Sequence, residues 1–360
     1  MKHINALSAE IVEVPTIMEP IQSSPGFQKK NLSDYKLDIC GLCQFGCMYC
    51  SSPHGNYLRI NRKPFADLTE KQTGERTLPA DAPNLMFAWP DVLENLTKQL
   101  RNKEKSWGLG QTLVFSMLTD GFSPMLVKDG TTKAALAMVL DQTSFRIRVL
   151  TKNSIVGSKP WIDFFLKYSG RFVVGLSIGT LDNGWAKMIE TKTSLPTARI
   201  RAMNNLQDAG VPTFGMLCPV FPHVLEGDGL DRLVDAIRPS LVEQVWAEPY
   251  NDRANWMGVH DACLEGGADR QFLIDVYGAK KKKKEKAKAT WSRYATDLYT
   301  RLRRKAEDDG WMDKFRYLLY EDKIVKEDAS AFHGLVGVLL QSKPDENGKS
   351  QNAAIAALQA

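Results

Sequence analysis

The chain has 360 residues and a mass of 40.3 kDa, with 43% hydrophobic and 25% charged residues, the balance of a globular protein whose core needs no disulfides. No run of 18 apolar residues occurs, which excludes a transmembrane helix, and the first residues lack the basic-then-apolar layout of a secretory signal. The expected compartment is therefore the cytoplasm. The net charge of +5 is uneven: residues 270–323 hold 16 Lys or Arg against 9 Asp or Glu. Such a surface suits an acidic partner, nucleic acid included, whereas the Lys280–Lys284 run by itself reads as a solvated loop.

Met1–Lys30 is mixed and proline-punctuated and reads as an irregular arm. A short strand is expected at Lys36–Ile39, followed at once by Cys40, Cys43, Cys47 and Cys50. Asp91 stands where a helix cap is expected, ahead of the apolar stripe Leu93, Leu96, Leu100. Leu113–Leu118 reads as a buried strand ending in the turn signal Thr119-Asp120-Gly121. A helix over Thr132–Leu140 and a strand over Phe145–Leu150 follow, then a helix with Trp161, Phe164, Phe165 and Tyr168 on one face. Next come a strand at Phe172–Ile178 and a helix at Pro196–Ala209 carrying Ile200, Met203 and Leu206, stopped by Gly210. Val211–Leu217 is a strand, Leu230, Leu233, Val234 and Ile237 mark a helix, and Val242–Ala247 is a strand ending at Glu248-Pro249.

Short, nearly continuous apolar strands that alternate with helices imply parallel strands buried on both faces, in an open α/β sheet or one curled toward a barrel. In either architecture ligands gather at the carboxyl ends of the strands. Polar residues just past those ends therefore matter most: Thr119, Asp120, Lys152, Ser177, Cys218 and Glu248. After Cys263 a basic amphipathic helix is expected through Trp291, Tyr294, Leu298 and Leu302, then a strand at Phe315–Tyr320 and a loose tail. The expected organisation is an arm over 1–34, a core domain over 35–255, an extension over 256–335 and a tail over 336–360.

Four cysteines in eleven positions, in a reducing compartment, read as a metal site. The order is Cys40-Gly-Leu-Cys43-Gln-Phe-Gly-Cys47-Met-Tyr-Cys50. Zinc ribbons separate their two C-x2-C knuckles by a dozen or more residues, and here only three intervene. So tight a run suits an iron–sulfur cluster, whose corners meet several thiolates from one short loop. With four thiolates such a cluster transfers electrons. With three, one iron stays open for a ligand.

Cys43, Cys47 and Cys50 form C-x3-C-x2-C with Tyr49 before the last cysteine, which resembles the signature of the radical S-adenosylmethionine (SAM) superfamily. Within it, the chain is similar to the spore photoproduct lyase-like branch. The resemblance lies in Ser116-Met-Leu-Thr-Asp-Gly-Phe-Ser-Pro124, in Leu150-Thr-Lys-Asn-Ser154, in Gly175-Leu-Ser-Ile-Gly-Thr-Leu-Asp182 with Glu190 and Arg199, and in Met216-Leu-Cys-Pro-Val-Phe-Pro222. It covers 35–255. It implies a partial (β/α)6 barrel with a C-terminal α/β extension, and a 4Fe–4S cluster on Cys43, Cys47 and Cys50 whose open iron takes SAM. The implied chemistry is reductive cleavage of SAM to a 5′-deoxyadenosyl radical that abstracts hydrogen from a substrate. The chain departs from the branch in one respect: no cysteine lies between Cys50 and Cys218, in the stretch downstream of the cluster where the lyases draw their hydrogen donor.

The resemblance also implies site roles. Tyr49 packs near the adenine, or is a core aromatic. Ser116 and Thr119 meet the SAM amino group; Lys152 and Ser177 meet its carboxylate or ribose. Arg199 reaches the carboxylate or pairs with Glu190. Glu248, Asn251, Arg253 and Asn255, past the sixth strand, bind substrate or close a turn. Cys218 is a hydrogen donor or a small buried hydrophobe. Electrons come from a partner such as flavodoxin or ferredoxin; the substrate is a small molecule or nucleic acid; no membrane is involved. Two alternatives stand beside this reading: a nucleic-acid lesion-repair lyase, favoured by the basic segment, and a non-catalytic iron–sulfur protein with Cys40 as fourth ligand.

Overall fold

The computed structural model describes residues 11–16, 18–53, 62–252, 254–279, 284–333 and 338–340. Arg253, most of the Lys280–Lys284 run and the expected tail beyond 340 lie outside the described residues. Of the described residues, those in Met1–Leu176, Asn183–Pro212 and Arg253–Asn255 form one compact unit. Those in Ser177–Asp182, Thr213–Asp252 and Trp256–Ala360 form a second.

The first unit begins with β1 (Ile11–Glu13), β2 (Ile21–Ser23) and α1 (Pro25–Gln28), so the segment expected to be irregular carries short regular pieces. Next come β3 (Tyr35–Leu37), β4 (Cys40–Leu42), α2 (Arg62–Thr73), β5 (Met86–Ala88), α3 (Val92–Arg101), β6 (Thr112–Phe115), α4 (Pro124–Lys128), α5 (Thr131–Gln142) and β7 (Arg146–Thr151). After them follow α6 (Lys159–Lys167), β8 (Phe172–Ser177), α7 (Asn183–Ile189) and α8 (Pro196–Asp208). β3, β6, β7 and β8 pair in parallel in that order, with Leu37 opposite Phe115 and Val149 opposite Val174, and β2 closes the edge antiparallel to β3. β1, β5 and β4 make a separate small sheet. The period-2 rule fails on β8, whose residues are all buried, as expected for a strand covered on both faces.

Helix faces follow the apolar spacing. Leu93 and Tyr168, expected on these faces, are only half-buried; α3 buries Val92 with Leu96 and Leu100, and α6 buries Trp161, Phe164 and Phe165. Each such side chain contributes about 1.5–3 kcal/mol of transfer free energy. Two more expectations are corrected. Asp91 occupies the N-cap position of α3, but its carboxylate accepts from Thr16 and Asn95, not from the helix N–H groups. On α8 the buried stripe is Arg199, Ala202, Met203 and Leu206; Ile200 is only half-buried. A buried arginine takes the apolar slot because it has an anionic partner, described below.

The second unit contains Ser177 at the end of β8 with the residues up to Asp182, and then β9 (Thr213–Val220), α9 (Gly229–Ala236), β10 (Val242–Pro249), α10 (Trp256–Ala262), α11 (Ala268–Val276), α12 (Lys284–Asp308), β11 (Phe315–Leu319) and β12 (Val338–Leu340). Ile178 N–H donates to Met216 O at its first edge. β9, β10, β11 and β12 are all parallel, with Val245 opposite both Gly215 and Phe315. The extension is thus α/β: α12 buries Trp291, Tyr294, Leu298 and Leu302 as its spacing predicts, and β11 adds a strand beside β10. The protein is a mixed α/β chain built on parallel strands, in line with its alternating pattern. Among the described residues no helix is long and apolar enough to cross a membrane.

Candidate functional site

The cysteine loop leaves β4 and is fastened to the segment after α7. Met48 N donates to Ile189 O at 2.9 Å, Lys192 N donates to Phe45 O at 3.1 Å, and Cys47 bridges Glu190 in antiparallel fashion. Gly46 turns the loop with φ +64°, a left-handed conformation that favours glycine, and a Cβ there would displace the Asn84 side chain. At the loop's end Asn255 Nδ2 donates to Cys50 O at 2.9 Å, and Ser52 Oγ donates to Leu118 O.

Side chains complete the fastening. Tyr49 OH donates to one oxygen of Glu190, and Arg199 Nη2 donates to the other. Glu190 and Arg199 are 3% and 1% exposed. Burial alone pushes the Glu190 carboxyl up, but Arg199 and Lys152 outweigh it and hold the group below its ordinary value. Lys152 Nζ lies 5.5 Å from the Tyr49 ring centroid.

Cys43, Cys47 and Cys50 act on one another electrostatically. Burial raises the Cys43 thiol well above its usual value, and Cys50, Asp120 and Cys40 add to the rise. Burial likewise raises Cys47, against the pull of Lys152. Half-buried thiols whose thiolates would repel one another ionise when positive charge is brought among them, which is what an iron–sulfur cluster supplies. Among the described residues no group of three or more His, Cys, Asp or Glu converges on a single ion. A cubane makes no such demand, because each thiolate binds a different iron.

At the end of β6, Ser116 is buried with φ +57°, a left-handed conformation unusual for serine, and its N–H donates to Leu37 O. Ser116 Oγ and Thr119 Oγ1 are both buried without a hydrogen-bond partner. Unpartnered buried hydroxyls are costly and suit a site completed by a polar ligand. Next to them Asp120 joins two strand ends: it accepts from Phe122 N at 2.9 Å, Thr151 Oγ1 at 2.8 Å and Lys152 N at 2.8 Å. Burial raises its carboxyl to about 6 despite these donors.

The first unit thus holds Cys43, Cys47, Cys50, Tyr49, Ser116, Thr119, Lys152, Arg199 and Asn255. Ser177, Cys218, Glu248 and Asn251 belong to the second. There Ser177 Oγ donates to Cys218 O at 2.8 Å and Cys218 Sγ donates to Glu248 Oε2 at 3.2 Å. Glu248 also accepts from Tyr320 OH, and Asn251 Oδ1 accepts from Lys323 Nζ. Sequence reasoning missed Tyr320 and Lys323, which lie 72 residues from those partners and carry no local motif. It also missed a chain in which His223 Nδ1 meets Asp269 Oδ2 at 2.6 Å and Nε2 meets Thr180 Oγ1 at 3.0 Å.

No protein-family model matches the chain. Among curated proteins it is similar to the uncharacterized protein ORF301 of Acidianus two-tailed virus, 22% identical over 240 residues, or 65% of this chain and 73% of that protein. Among solved structures it is similar to a spore photoproduct lyase variant, with TM-score 0.47, 13% identity and coverage of 80% of this chain and 79% of the other. A second is anSMEcpe with bound AdoMet, with TM-score 0.42, 11% identity and coverage of 78% and 64%. At these TM-scores the likenesses carry no functional weight.

Proposed function

We propose that the chain is a radical SAM enzyme with its core in residues 35–255 and an extension over 256–335. The observation that carries this reading is the C-x3-C-x2-C loop, with its half-buried, neighbouring thiols, in one unit with the unpartnered hydroxyls of Ser116 and Thr119. These residues fit the group: Cys43, Cys47 and Cys50 would hold a 4Fe–4S cluster, and SAM would be held by the side chains around it. When bound, that pair supplies reductive cleavage of SAM to methionine and a 5′-deoxyadenosyl radical able to abstract hydrogen.

The chain's own residues orient and neutralise. Lys152 sets a cation beside Cys47 and Glu190, where a carboxylate of SAM would find its partner. Ser116 and Thr119 offer hydroxyls at the β6 end, and Ser177 a hydroxyl at the β8 end. Tyr49 is held by Glu190 and presents its ring beside the loop. Arg199 serves this reading through Glu190, as a positioning residue for Tyr49 and the cysteine loop. Substrate would meet Glu248, Asn251, Arg253 and Asn255, with Cys218 as candidate hydrogen donor. Electrons would come from a small carrier such as flavodoxin or ferredoxin.

The test is anaerobic reconstitution with iron and sulfide, reduction with dithionite, and chromatography for 5′-deoxyadenosine. Formation above that of a Cys47→Ala control is expected. Reconstituted wild-type protein that holds iron yet gives no more than the control would overturn the reading.

A further inference from the structure

From the last residues of β10 the chain runs Glu248-Pro-Tyr-Asn-Asp252, and this short stretch is tied to three aromatic rings. Trp291 Nε1 donates to Tyr250 O at 3.0 Å, Asp252 N donates to Tyr277 OH at 3.1 Å, and Tyr320 OH donates to Glu248. The rings come from three places in the second unit: the end of α11, the second turn of α12 and the end of β11. Trp291 and Tyr320 stand edge to face, with centroids 6.0 Å apart at 78°. The Lys323 ammonium stands among them. Its Nζ is 5.2 Å from the Trp291 centroid, 5.7 Å from Tyr277 and 5.9 Å from Tyr320, and it donates to Asn251 Oδ1.

A cation within about 6 Å of several ring faces is the geometry by which proteins hold alkylammonium groups. Each ring adds electrostatic attraction, and desolvation strengthens it. Here the rings are fixed by hydrogen bonds to the loop, whereas Lys323 comes from the three-residue turn Glu321–Lys323 and reaches in on a flexible stem.

We propose that Tyr277, Trp291 and Tyr320, with Asn251, form a binding site for an alkylammonium group, and that Lys323 is its built-in occupant. A ligand amine would exchange with the Lys323 ammonium, whose stem swings toward solvent. The site needs neither cluster nor SAM, so its test is separate from that of the catalytic reading.

The experiment is calorimetric titration of the full-length chain. Lys323→Ala removes a volume that matches n-propylammonium, so n-propylammonium chloride is one probe and neutral 1-propanol its isostere, at constant ionic strength. Lys323→Ala should bind n-propylammonium at least about tenfold more tightly than 1-propanol, and at least about tenfold more tightly than wild type does. Adding Tyr277→Leu should weaken the charged probe and leave the alcohol unchanged. Lys323→Ser is the second variant and should behave as Lys323→Ala. Equal binding of the two probes would mean a plain cavity and overturn the proposal. So would equal affinity of wild type and Lys323→Ala for n-propylammonium, or the absence of binding in both variants.

Discussion

Arg199→Met removes the one guanidinium that Glu190 holds while keeping an unbranched stem in the same slot of α8. Both partners are almost wholly buried, and Tyr49 shares the carboxylate. Taking one member from a buried ion pair leaves an uncompensated charge, at a cost of about 3–5 kcal/mol. Lys152 still acts on Glu190, so the lower half of that range is expected. The double variant Arg199→Met/Glu190→Gln should be more stable than Arg199→Met alone, with a coupling of about 2 kcal/mol, because no charge is then stranded. Urea unfolding of the reduced apoprotein, followed by circular dichroism, reads this without the cluster. The Glu190 carboxyl is held below its ordinary value, so near the carboxylate range the unfolded chain binds more protons and stability rises with pH. The pair's contribution is therefore full at neutral pH and lost as the pH falls through the folded carboxyl's titration. Wild type and Glu190→Gln should converge in acid. A cost for Arg199→Met below about 1 kcal/mol, or strictly additive single effects, would refute the clamp.

Cys40→Ala should retain reconstituted iron at wild-type content, whereas Cys43→Ala, Cys47→Ala and Cys50→Ala each lose it; iron and sulfide analysis reads the difference, and loss in Cys40→Ala would make it a fourth ligand. Gly179→Ala should destabilise by about 1–3 kcal/mol in thermal unfolding, because the new Cβ would lie 2.0 Å from Pro219 O and the backbone must shift; an unchanged midpoint would show that the strand ends yield freely.

The strand–helix alternation, the apolar faces of α3, α6 and α12 and the cysteine loop were all legible in the sequence. Each is a local property: periodicity reports which side of an element meets the core, and three cysteines within eight positions stay together in any fold. What the periodicity could not show is which charged side chains are buried, and which groups far along the chain are joined to them. The sequence already offers Glu190 as a partner for Arg199, nine residues away, but does not show that the pair is buried on the helix face that reads as apolar at Ile200. Glu190 in turn is joined to Tyr49 across 141 residues, and that link turns a motif into a fastened loop. Asp91 likewise sits where a cap belongs, yet Thr16, 75 residues earlier, takes its carboxylate. Lys323 carries no motif at all; it matters only because α11, α12 and β11 deliver rings around it. Hydrogen bonds and ion pairs in a core are settled by which elements end up side by side, and that is a property of the packed chain, not of any stretch of it.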